Sequence, residues 1–473
     1  MAEVPGRTLT SRRGRTVSGK TQALRWALLD KWLPPTTPRT TSEWETVQLE
    51  DVLSPLTPRP MVPDTGNVRF AGVKWYGEGL FIREERAAGT LTAKCYPLMP
   101  GALVYNRLFA WKQAFALVGD EFDGVVVSNE FPQFTIDSQA NPQYIRLVCA
   151  SRSFADTVLA RSSGSTAVSR NRLAVADFLT LDIPLPPTPV QDDLVASFTR
   201  VMNDADHLQA RAAELINDAR GEFEAALVGS IAKTEQSGMC RIAYFRDLLR
   251  WDGPAVAIQR GWLWPEAALA DVADIRLGVQ IPRKGTGTGE PYPYLRAASV
   301  QRGWLDLDDV KTMRVSSAQA EALRLQAGDV VFVEGNGSSA EVGRCAVWQN
   351  KIAFCIHQNS VVRARPNTDV ADPMFLACWF NSTPGSAYVR EHATTTSGLF
   401  HIGAGKLGAA PVPLPPLEVQ QRLAANLMVA QQEADTMAAK VEALRLQAKT
   451  DFESAVFGAS ATQVYEHPTA PWA

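Results

Sequence analysis

The chain has 473 residues, a formal net charge of −3, 46% hydrophobic residues and 21% charged residues. This composition is typical of an ordinary globular protein of two to four domains, and it neither indicates nor excludes a nucleic-acid partner, since a local basic surface is enough to bind one. It contains no run of 18 or more apolar residues, so we expect no membrane-spanning helix.

The cysteines and the N-terminus give expectations about location. Six cysteines are scattered along the chain without a CxxC pair, which argues against a zinc ribbon or a redox motif and indicates a reduced, cytoplasmic setting. Residues 1–43 form a basic N-terminal tail with a short helical pattern at 22–33, and they lack the apolar stretch of a secretory signal.

A first globular region, residues 44–187, leads into a long helical pattern at 188–233. The prolines of IPLPPTPVQ at 183–191 end a strand and fix the start of the helix. Apolar residues then recur in alternating steps of three and four, which is the seam of a coiled coil. Its large members are Leu194, Phe198, Leu208, Leu215 and Phe223.

The second half of the chain repeats this order. A linker at 234–261 is followed by a second globular region at 262–416, a second long helix at 417–458 and a C-terminal tail at 459–473 that we expect to be disordered. VPLPPLEVQ at 412–420 opens the second helix, 229 residues after its counterpart. The seam of this helix contains Leu423, Leu427, Met437, Leu444 and Phe452.

The two long helices are copies of each other. Residues 183–229 align with 412–458 without a gap and with 17 identities in 47 positions, which is too long a match to arise readily by chance. The globular regions, here called the first and second heads, match more loosely. Trp44, Asp51 and Val52 correspond to Trp264, Asp271 and Val272, and LMPGALVYNR at 98–107 corresponds to LQAGDVVFVE at 325–334.

The repeat predicts the fold class. We expect an α+β protein in which two mixed α/β heads are separated by two long helices packed as an antiparallel coiled coil, with an internal pseudo-two-fold repeat. A constant spacer that carries two divergent heads suggests that the heads read different things.

Catalytic motifs are weak in this sequence. GAGKLG at 403–408 matches GxGxxG, but Pro411 and Pro413 follow so closely that we expect no helix to start there, and a dinucleotide or S-adenosylmethionine loop needs one. NPQY at 141–144 is more typical of a helix start than of an amino-methyltransferase motif. The five histidines have no metal-ligand spacing.

The sequence resembles the specificity subunits of type I restriction-modification systems. The paired PLPPxxVQ segments and the helices behind them carry the resemblance, together with LRAASVQRGWLDLDDVKTM at 295–313, LQAGDVVFVEGNGSSAEVGRCAVW at 325–348 and TSGLFHIGAGKLGAAPVPLPP at 396–416. In the first half, SSGSTAVSRNRLAVADFLTLDIPLPP at 162–187 does the same, and the match covers roughly residues 44–458.

The resemblance implies a non-catalytic subunit with two target-recognition domains, each reading one half of a bipartite site in double-stranded DNA. It implies that the helices set the gap between half-sites and dock two methyltransferase subunits, to which restriction subunits attach. It implies no cofactor in this chain, because the partner methyltransferase holds S-adenosylmethionine.

Polar and basic residues of the two heads are the predicted DNA contacts, because Arg and Lys bind guanine edges and Asn and Gln bind adenine in the major groove. In the first head they are Lys74, Arg107, Lys112, Asn129, Ser163, Ser165 and Arg170. In the second head they are Arg283, Lys284, Arg296, Asn336, Ser338, Arg344, Gln358, Asn359, His401 and Lys406. The alternative for each is an ordinary solvated surface residue.

Three other functions remain open at this point. The chain could be a non-catalytic protein-interaction scaffold whose heads bind ligands other than DNA. It could be the specificity subunit of a related phage-defence system without restriction. An enzyme acting on DNA in its own right would require methyl transfer or cleavage by the chain alone, and the missing motifs argue against it.

Overall fold

The computed structural model describes residues 42–61, 66–88, 94–162, 171–228, 262–280, 289–396 and 398–458. The predicted basic tail up to residue 41 with its helical pattern at 22–33, the linker at 234–261 and the C-terminal tail at 459–473 lie outside the described residues. So do five predicted DNA contacts: Ser163, Ser165, Arg170, Arg283 and Lys284.

Strands and helices both contribute to each head, as the predicted α+β class requires. The strands are β1 Thr46–Gln48, β2 Leu53–Leu56, β3 Asn67–Val73, β4 Leu80–Ala87, β5 Tyr96–Pro97, β6 Leu103–Tyr105, β7 Phe115–Leu117, β8 Val126–Val127, β9 Gln133–Ile136, β10 Asp182–Pro184, β11 Glu266–Ala268, β12 Ala273–Leu277, β13 Glu290–Leu295, β14 Lys311–Val315, β15 Val330–Val333, β16 Gly335–Asn336, β17 Cys345–Val347, β18 Ile356–His357, β19 Val361–Pro366, β20 Thr394–Thr396, β21 Leu399–His401 and β22 Pro411–Pro413. The α-helices are α1 Pro142–Cys149, α2 Arg152–Arg161, α3 Val175–Leu179, α4 Thr188–Leu227, α5 Leu269–Val272, α6 Ser317–Leu323, α7 Pro373–Asn381, α8 Thr383–His392, α9 Ala404–Gly408 and α10 Leu417–Phe457.

The chain divides into two compact units. The first contains the residues up to Asp206 and those from Val441 onward, and the second is His207–Lys440. Each long helix therefore contributes residues to both units. A head is stabilised by the first half of the helix that follows it and by the second half of the other helix.

The sheets of the two units share one ground plan. In the first unit a four-stranded sheet has the order β2-β9-β6-β7, and in the second unit the order β12-β19-β15-β17 repeats it. Each head also has a hairpin, β3–β4 or β13–β14, whose first strand pairs in parallel with a short strand, β8 or β18. Each head is closed by a two-stranded pair, β1 with β10 and β11 with β22. The predicted duplication of the heads is therefore present in their sheets as well as in the helices.

The long helices begin and end as their sequences dictate. Both start directly behind the proline clusters, where the Val190 and Val419 backbone N–H groups donate to the carbonyls of Pro187 and Pro416, each at 2.8 Å. Helix α10 ends at Phe457, and the Gly458 that follows has a left-handed φ of +88°, which suits a residue without a Cβ. Helix α4 ends at Leu227, Val228 forms an isolated β-bridge with Trp262, and residues 229–233 of the predicted helix lie outside the described residues.

Within each unit the two helices run antiparallel. In the first unit Phe198 of α4 lies 6.1 Å from Phe452 of α10, measured between ring centroids, and Asp206 accepts from Arg445 at 2.8 Å. In the second unit the seam buries mainly small residues: Ala212, Ile216, Ala430 and Ala434. All ten large residues of the predicted seam are buried or half-buried. Ile216, which we did not predict there, is also buried.

The repeated glutamine of PLPPxxVQ fastens each helix to its head. Gln191 accepts from the Asn141 N–H at 2.8 Å and donates to the Pro186 carbonyl at 2.8 Å. Gln420 accepts from the Asp372 N–H and donates to the Pro415 carbonyl, both at 2.9 Å. Both glutamine side chains are fully buried, so the repeat of this glutamine is explained by hydrogen bonds that solvent cannot replace.

The far end of each long helix makes a second set of repeated contacts. The indole N–H of Trp44 donates to the carbonyl of Ala455 at 2.9 Å, and that of Trp264 donates to Ala226 at 2.8 Å. The acceptors are 229 positions apart, like the helices themselves. The tryptophans thus tie the start of each head to the end of the long helix that does not follow it.

Candidate nucleic-acid interface

A polar cluster lies at the surface of the first head, where β6 ends. The backbone N–H of Arg107 donates to the carbonyl of Glu130 at 3.0 Å, and the Leu173 N–H donates to the Arg107 carbonyl at 3.0 Å. Arg172 forms an ion pair with Glu130. We call Arg107, Glu130 and Arg172 the first junction. The Nε of Arg107 is buried without a hydrogen-bond partner among the described residues.

The second head has a cluster with the same backbone connections. The Glu334 N–H donates to the Ser360 carbonyl at 2.9 Å, and the Ile402 N–H donates to the Glu334 carbonyl at 2.8 Å. The carboxylate of Glu334 lies 3.1 Å from Nδ1 of His401. We call Glu334, Ser360 and His401 the second junction. The side chains of Glu334 and His401 are 24% and 32% exposed, so both are reachable from solvent.

Gly335 makes room for the second junction. In β16 it lies opposite His401 of β21, and a Cβ at residue 335 would lie 2.6 Å from the His401 Nδ1. Asn336 follows in the same strand, and its side-chain oxygen accepts from the Ser338 N–H at 2.9 Å. The structure therefore brings His401, Asn336 and Ser338 of the predicted contacts to one edge of the head.

Gln358 and Asn359 flank this edge in the turn before β19. Both are half-buried, and their backbone N–H groups donate to Leu295 and Val279 at 2.9 Å. The preceding His357 is fully buried, and burial lowers its pKa to about 4. This imidazole is neutral at physiological pH and adds no positive charge to the edge.

Several predicted contacts are used to hold the second head together. Arg344 donates from Nε to the Val300 carbonyl at 2.7 Å and pairs with Glu341 at 2.8 Å. Arg296 donates to the carboxylate of Asp309 at 2.5 Å. Lys406 donates to the His392 carbonyl at 3.0 Å, at the end of α8. These cations are already paired, which reduces what they can offer to a phosphate or a base.

In the first head, Lys74, Lys112 and Asn129 occupy different surroundings. Asn129 is exposed in the turn before Glu130 and so adjoins the first junction. Lys112 lies with its Nζ 3.6 Å from the ring centroid of Trp75, a cation–π contact next to exposed Lys74. The structure therefore brings Arg107 and Asn129 together and places the two lysines around a separate exposed aromatic turn.

The motif at 403–408 requires a correction. We expected no helix there, but Ala404–Gly408 forms the one-turn helix α9, which ends before Pro411–Pro413. The two prolines limit the length of the helix and do not prevent its start. At 141–144 the prediction of a helix start is confirmed, because Asn141 caps α1 by accepting from the Gln143 N–H at 2.8 Å.

Sequence reasoning missed the acidic members of the junctions. Glu130 and Glu334 were not considered because acidic residues repel phosphates, and Arg172 was passed over among the arginines. A usable signal was present, since Arg172 and His401 are 229 positions apart and so correspond in the repeat. Among the described residues, no group of three or more His, Cys, Asp or Glu side chains is arranged to hold a metal ion.

Comparison with known proteins gives consistent matches. No protein-family model matches the chain. It is 25% identical over 281 residues to the type I restriction enzyme EcoKI specificity subunit of Escherichia coli, covering 59% of this chain and 57% of that protein. It is 25% identical over 166 residues to a putative type I restriction enzyme MjaX specificity subunit of Methanocaldococcus jannaschii, covering 34% of this chain and 38% of that protein.

A solved structure extends the likeness in fold. A chain from work on complex assembly and conformational transition of the type I R-M system aligns with a TM-score of 0.54 and 18% identity, covering 87% of this chain and 97% of that one. The sequence matches span 57% and 38% of the two curated relatives. The recognition made from the sequence is thus confirmed: the chain is similar in sequence to specificity subunits of type I restriction enzymes and in fold to a chain of a type I R-M system.

Proposed function

We propose that this chain is the DNA sequence-specificity subunit of a type I restriction-modification complex. The observation that carries the proposal is the duplicated frame, in which equivalent glutamines, tryptophans and sheet orders support two heads with different polar surfaces. A frame kept constant around two different surfaces suits a protein that reads two different half-sites. Each head would read one half of a bipartite site in double-stranded DNA.

The long helices suit a role in protein assembly. The outer face of α4 is acidic and polar, which disfavours contact with phosphates and favours contact with other proteins. We infer that two methyltransferase subunits dock there and that restriction subunits join through them. S-adenosylmethionine would be held by the methyltransferase, and this chain would supply no catalytic group. None of the helices in the described part of the chain has the length and hydrophobicity needed to cross a bilayer.

A methylation map tests the proposal directly. The host genome is read by single-molecule sequencing with and without the chain, and then with a chain that lacks residues 262–411. We expect a split motif of two short half-sites to vanish with the chain. We expect the deletion to remove one half-site, provided that the shortened chain is soluble. A map that is the same in all three strains would contradict the proposal and favour a scaffold that binds other ligands.

The spacing between half-sites is tested by helix length. Deleting one heptad from each of α4 and α10 should shorten the gap in the motif by roughly three base pairs, because seven residues rise about 10 Å. A deletion of the same size in only one helix serves as the control, because it breaks the antiparallel register and should abolish methylation. An unchanged gap after the double deletion would show that the helices do not set the spacing.

A further inference from the structure

The two junctions occupy one position of the repeated head. In the first head the Arg107 N–H donates to the carbonyl of Glu130, and the Arg107 carbonyl accepts from the N–H of Leu173. In the second head Glu334 makes the same two bonds, to the carbonyl of Ser360 and from the N–H of Ile402. Arg107 and Glu334 both lie two residues beyond a fully buried aromatic side chain, Tyr105 or Phe332. The backbone therefore presents the two side chains in the same local setting.

The two junctions have the same backbone hydrogen bonds but side chains of opposite charge. Leu173 and Ile402, which make the equivalent backbone bonds, are both fully buried and apolar. The half-buried residue that accepts each of these bonds carries a guanidinium in the first head, at Arg107, and a carboxylate in the second, at Glu334. A position that only supported the fold would need one kind of side chain, whereas a position that reads a ligand can differ between two heads that read different ligands.

The chemistry of each side chain selects a base edge. Arginine donates two parallel hydrogen bonds to O6 and N7 of guanine, and a carboxylate accepts from the N4 amino group of cytosine. His401 Nδ1 lies 3.1 Å from one carboxylate oxygen of Glu334, and among the described residues none donates a hydrogen bond to the other oxygen. In the first junction Glu130 pairs with Arg172, so Arg107 is the arginine without a hydrogen-bonded side-chain partner among the described residues.

We propose that Arg107 reads a guanine in the half-site of the first head and that Glu334, oriented by His401, reads a cytosine in the half-site of the second. This inference rests on the proposed function. The inference adds to the proposed function two specificity-determining residues and the base that each one selects.

The experiment uses the full chain in cells with its partner subunits and a plasmid library in which both half-sites are randomised. Methylated sequences are read for the wild type and for the Arg107→Gln and Glu334→Gln variants. We expect Arg107→Gln to lose its preference for guanine at one position of one half-site by about 5- to 150-fold, with the other half-site unchanged. Glu334→Gln should lose its preference for cytosine at one position of the opposite half-site.

Conservative variants and variants at distant residues distinguish a loss of base preference from a loss of folding. Arg107→Lys should retain the preference for guanine, because lysine also donates to the guanine edge. Arg83→Gln in the first head and Lys311→Gln in the second change exposed cations away from the junctions and should leave both half-sites unchanged. The melting temperature of each purified chain shows that the variants fold alike.

The outcomes are distinguishable. A wild-type split motif that both glutamine variants leave intact would overturn the inference and leave the proposed function standing. A variant that weakens both half-sites equally would assign the residue to the frame and also overturn it. If the wild type gives no split motif, the proposed function fails, and the inference fails with it.

Discussion

Glu224 and Thr383 are joined by a hydrogen bond in which the Thr383 backbone N–H donates to the Glu224 carboxylate at 2.6 Å. Thr383 begins α8 of the second head, and Glu224 lies in the last turn of α4. In the first unit Glu453, 229 positions later, accepts from the Arg152 N–H at 2.7 Å, at the start of α2. A carboxylate from a long helix therefore caps a helix of each head, where the positive end of the helix dipole favours it.

Replacing Glu224 by alanine should lower the free energy of unfolding by about 1 kcal/mol, because the Thr383 N–H at the start of α8 loses its acceptor, while Ser382 still accepts from the Gly385 N–H. Urea denaturation followed by circular dichroism measures the loss. Glu453→Ala should behave in the same way in the first unit. Glu214→Ala removes an exposed acid from the same helix α4 and should change the stability by less than about 0.5 kcal/mol. Equal effects of Glu224→Ala and Glu214→Ala would contradict the capping role.

Gln420 should matter more to stability than its neighbour Gln421. Its side chain is fully buried and satisfies the Asp372 N–H and the carbonyls of Val370 and Pro415, each at 2.9 Å. Gln420→Ala removes all three hydrogen bonds and leaves the carbonyl of buried Pro415 without this donor, which should cost about 2 kcal/mol. Gln421→Ala changes an exposed residue one position away and serves as the matched control. The midpoint of chemical denaturation decides between them, and comparable shifts would mean that the repeated glutamine has no special role.

The sequence predicted the parts of the fold that depend on periodicity. The helix starts at Thr188 and Leu417 follow from the proline clusters, and the α+β class with paired long helices is confirmed. The sheets of the heads could not be derived in the same way, since their strands are mostly two to five residues long and pair with distant segments. The sequence shows that Trp44 and Trp264 are equivalent, but it does not predict that each head contacts the end of the long helix that does not follow it. Nothing local in the sequence shows that each tryptophan donates to the carbonyl of a distant helix.

Most of the proposed interface lay beyond sequence reasoning for a different reason. The importance of Arg107 and Glu334 depends on backbone hydrogen bonds to residues that are far away in the chain. Charge alone ranked Arg344 and Arg296 with Arg107, whereas the structure shows the first two already paired with acidic side chains. Which polar residue is available is therefore a property of the folded chain.

Gly335→Ala should disturb the second junction without unfolding the head. The new Cβ would lie 2.6 Å from His401 Nδ1, so the ring must shift from the position in which Nδ1 contacts Glu334. The ring is a half-exposed side chain that can shift, and we expect stability to change by less than about 1 kcal/mol. The methylation preference of the second half-site should weaken while that of the first stays constant. Gly337→Ala is the matched control, because its Cβ would meet no atom within 4 Å. Identical methylation maps for the two variants would mean that His401 does not orient Glu334.

The buried imidazole of His357 should make the stability of the second unit depend on pH. Burial lowers its pKa to about 4 from the ordinary histidine value of 6.5, so the unfolded chain binds the proton more readily than the folded one. Stability is therefore complete above pH 6.5 and falls as the pH drops toward 4, by up to about 3 kcal/mol. Denaturation midpoints at several pH values between 7.5 and 4.5 measure this slope.

Comparison with substituted chains isolates the contribution of His357 from that of the carboxylates. His357→Leu leaves the Val361 carbonyl, 2.9 Å from the ring Nδ1, without its partner and should lower stability at pH 7.5. The same change removes the group that must stay neutral, so the slope of stability between pH 6.5 and 4.5 should become shallower than that of the wild type. His207→Gln replaces an exposed histidine of α4 and should leave the slope unchanged. A His357→Leu slope that parallels the wild type would mean that the ring takes up its proton as readily in the folded chain as in the unfolded one.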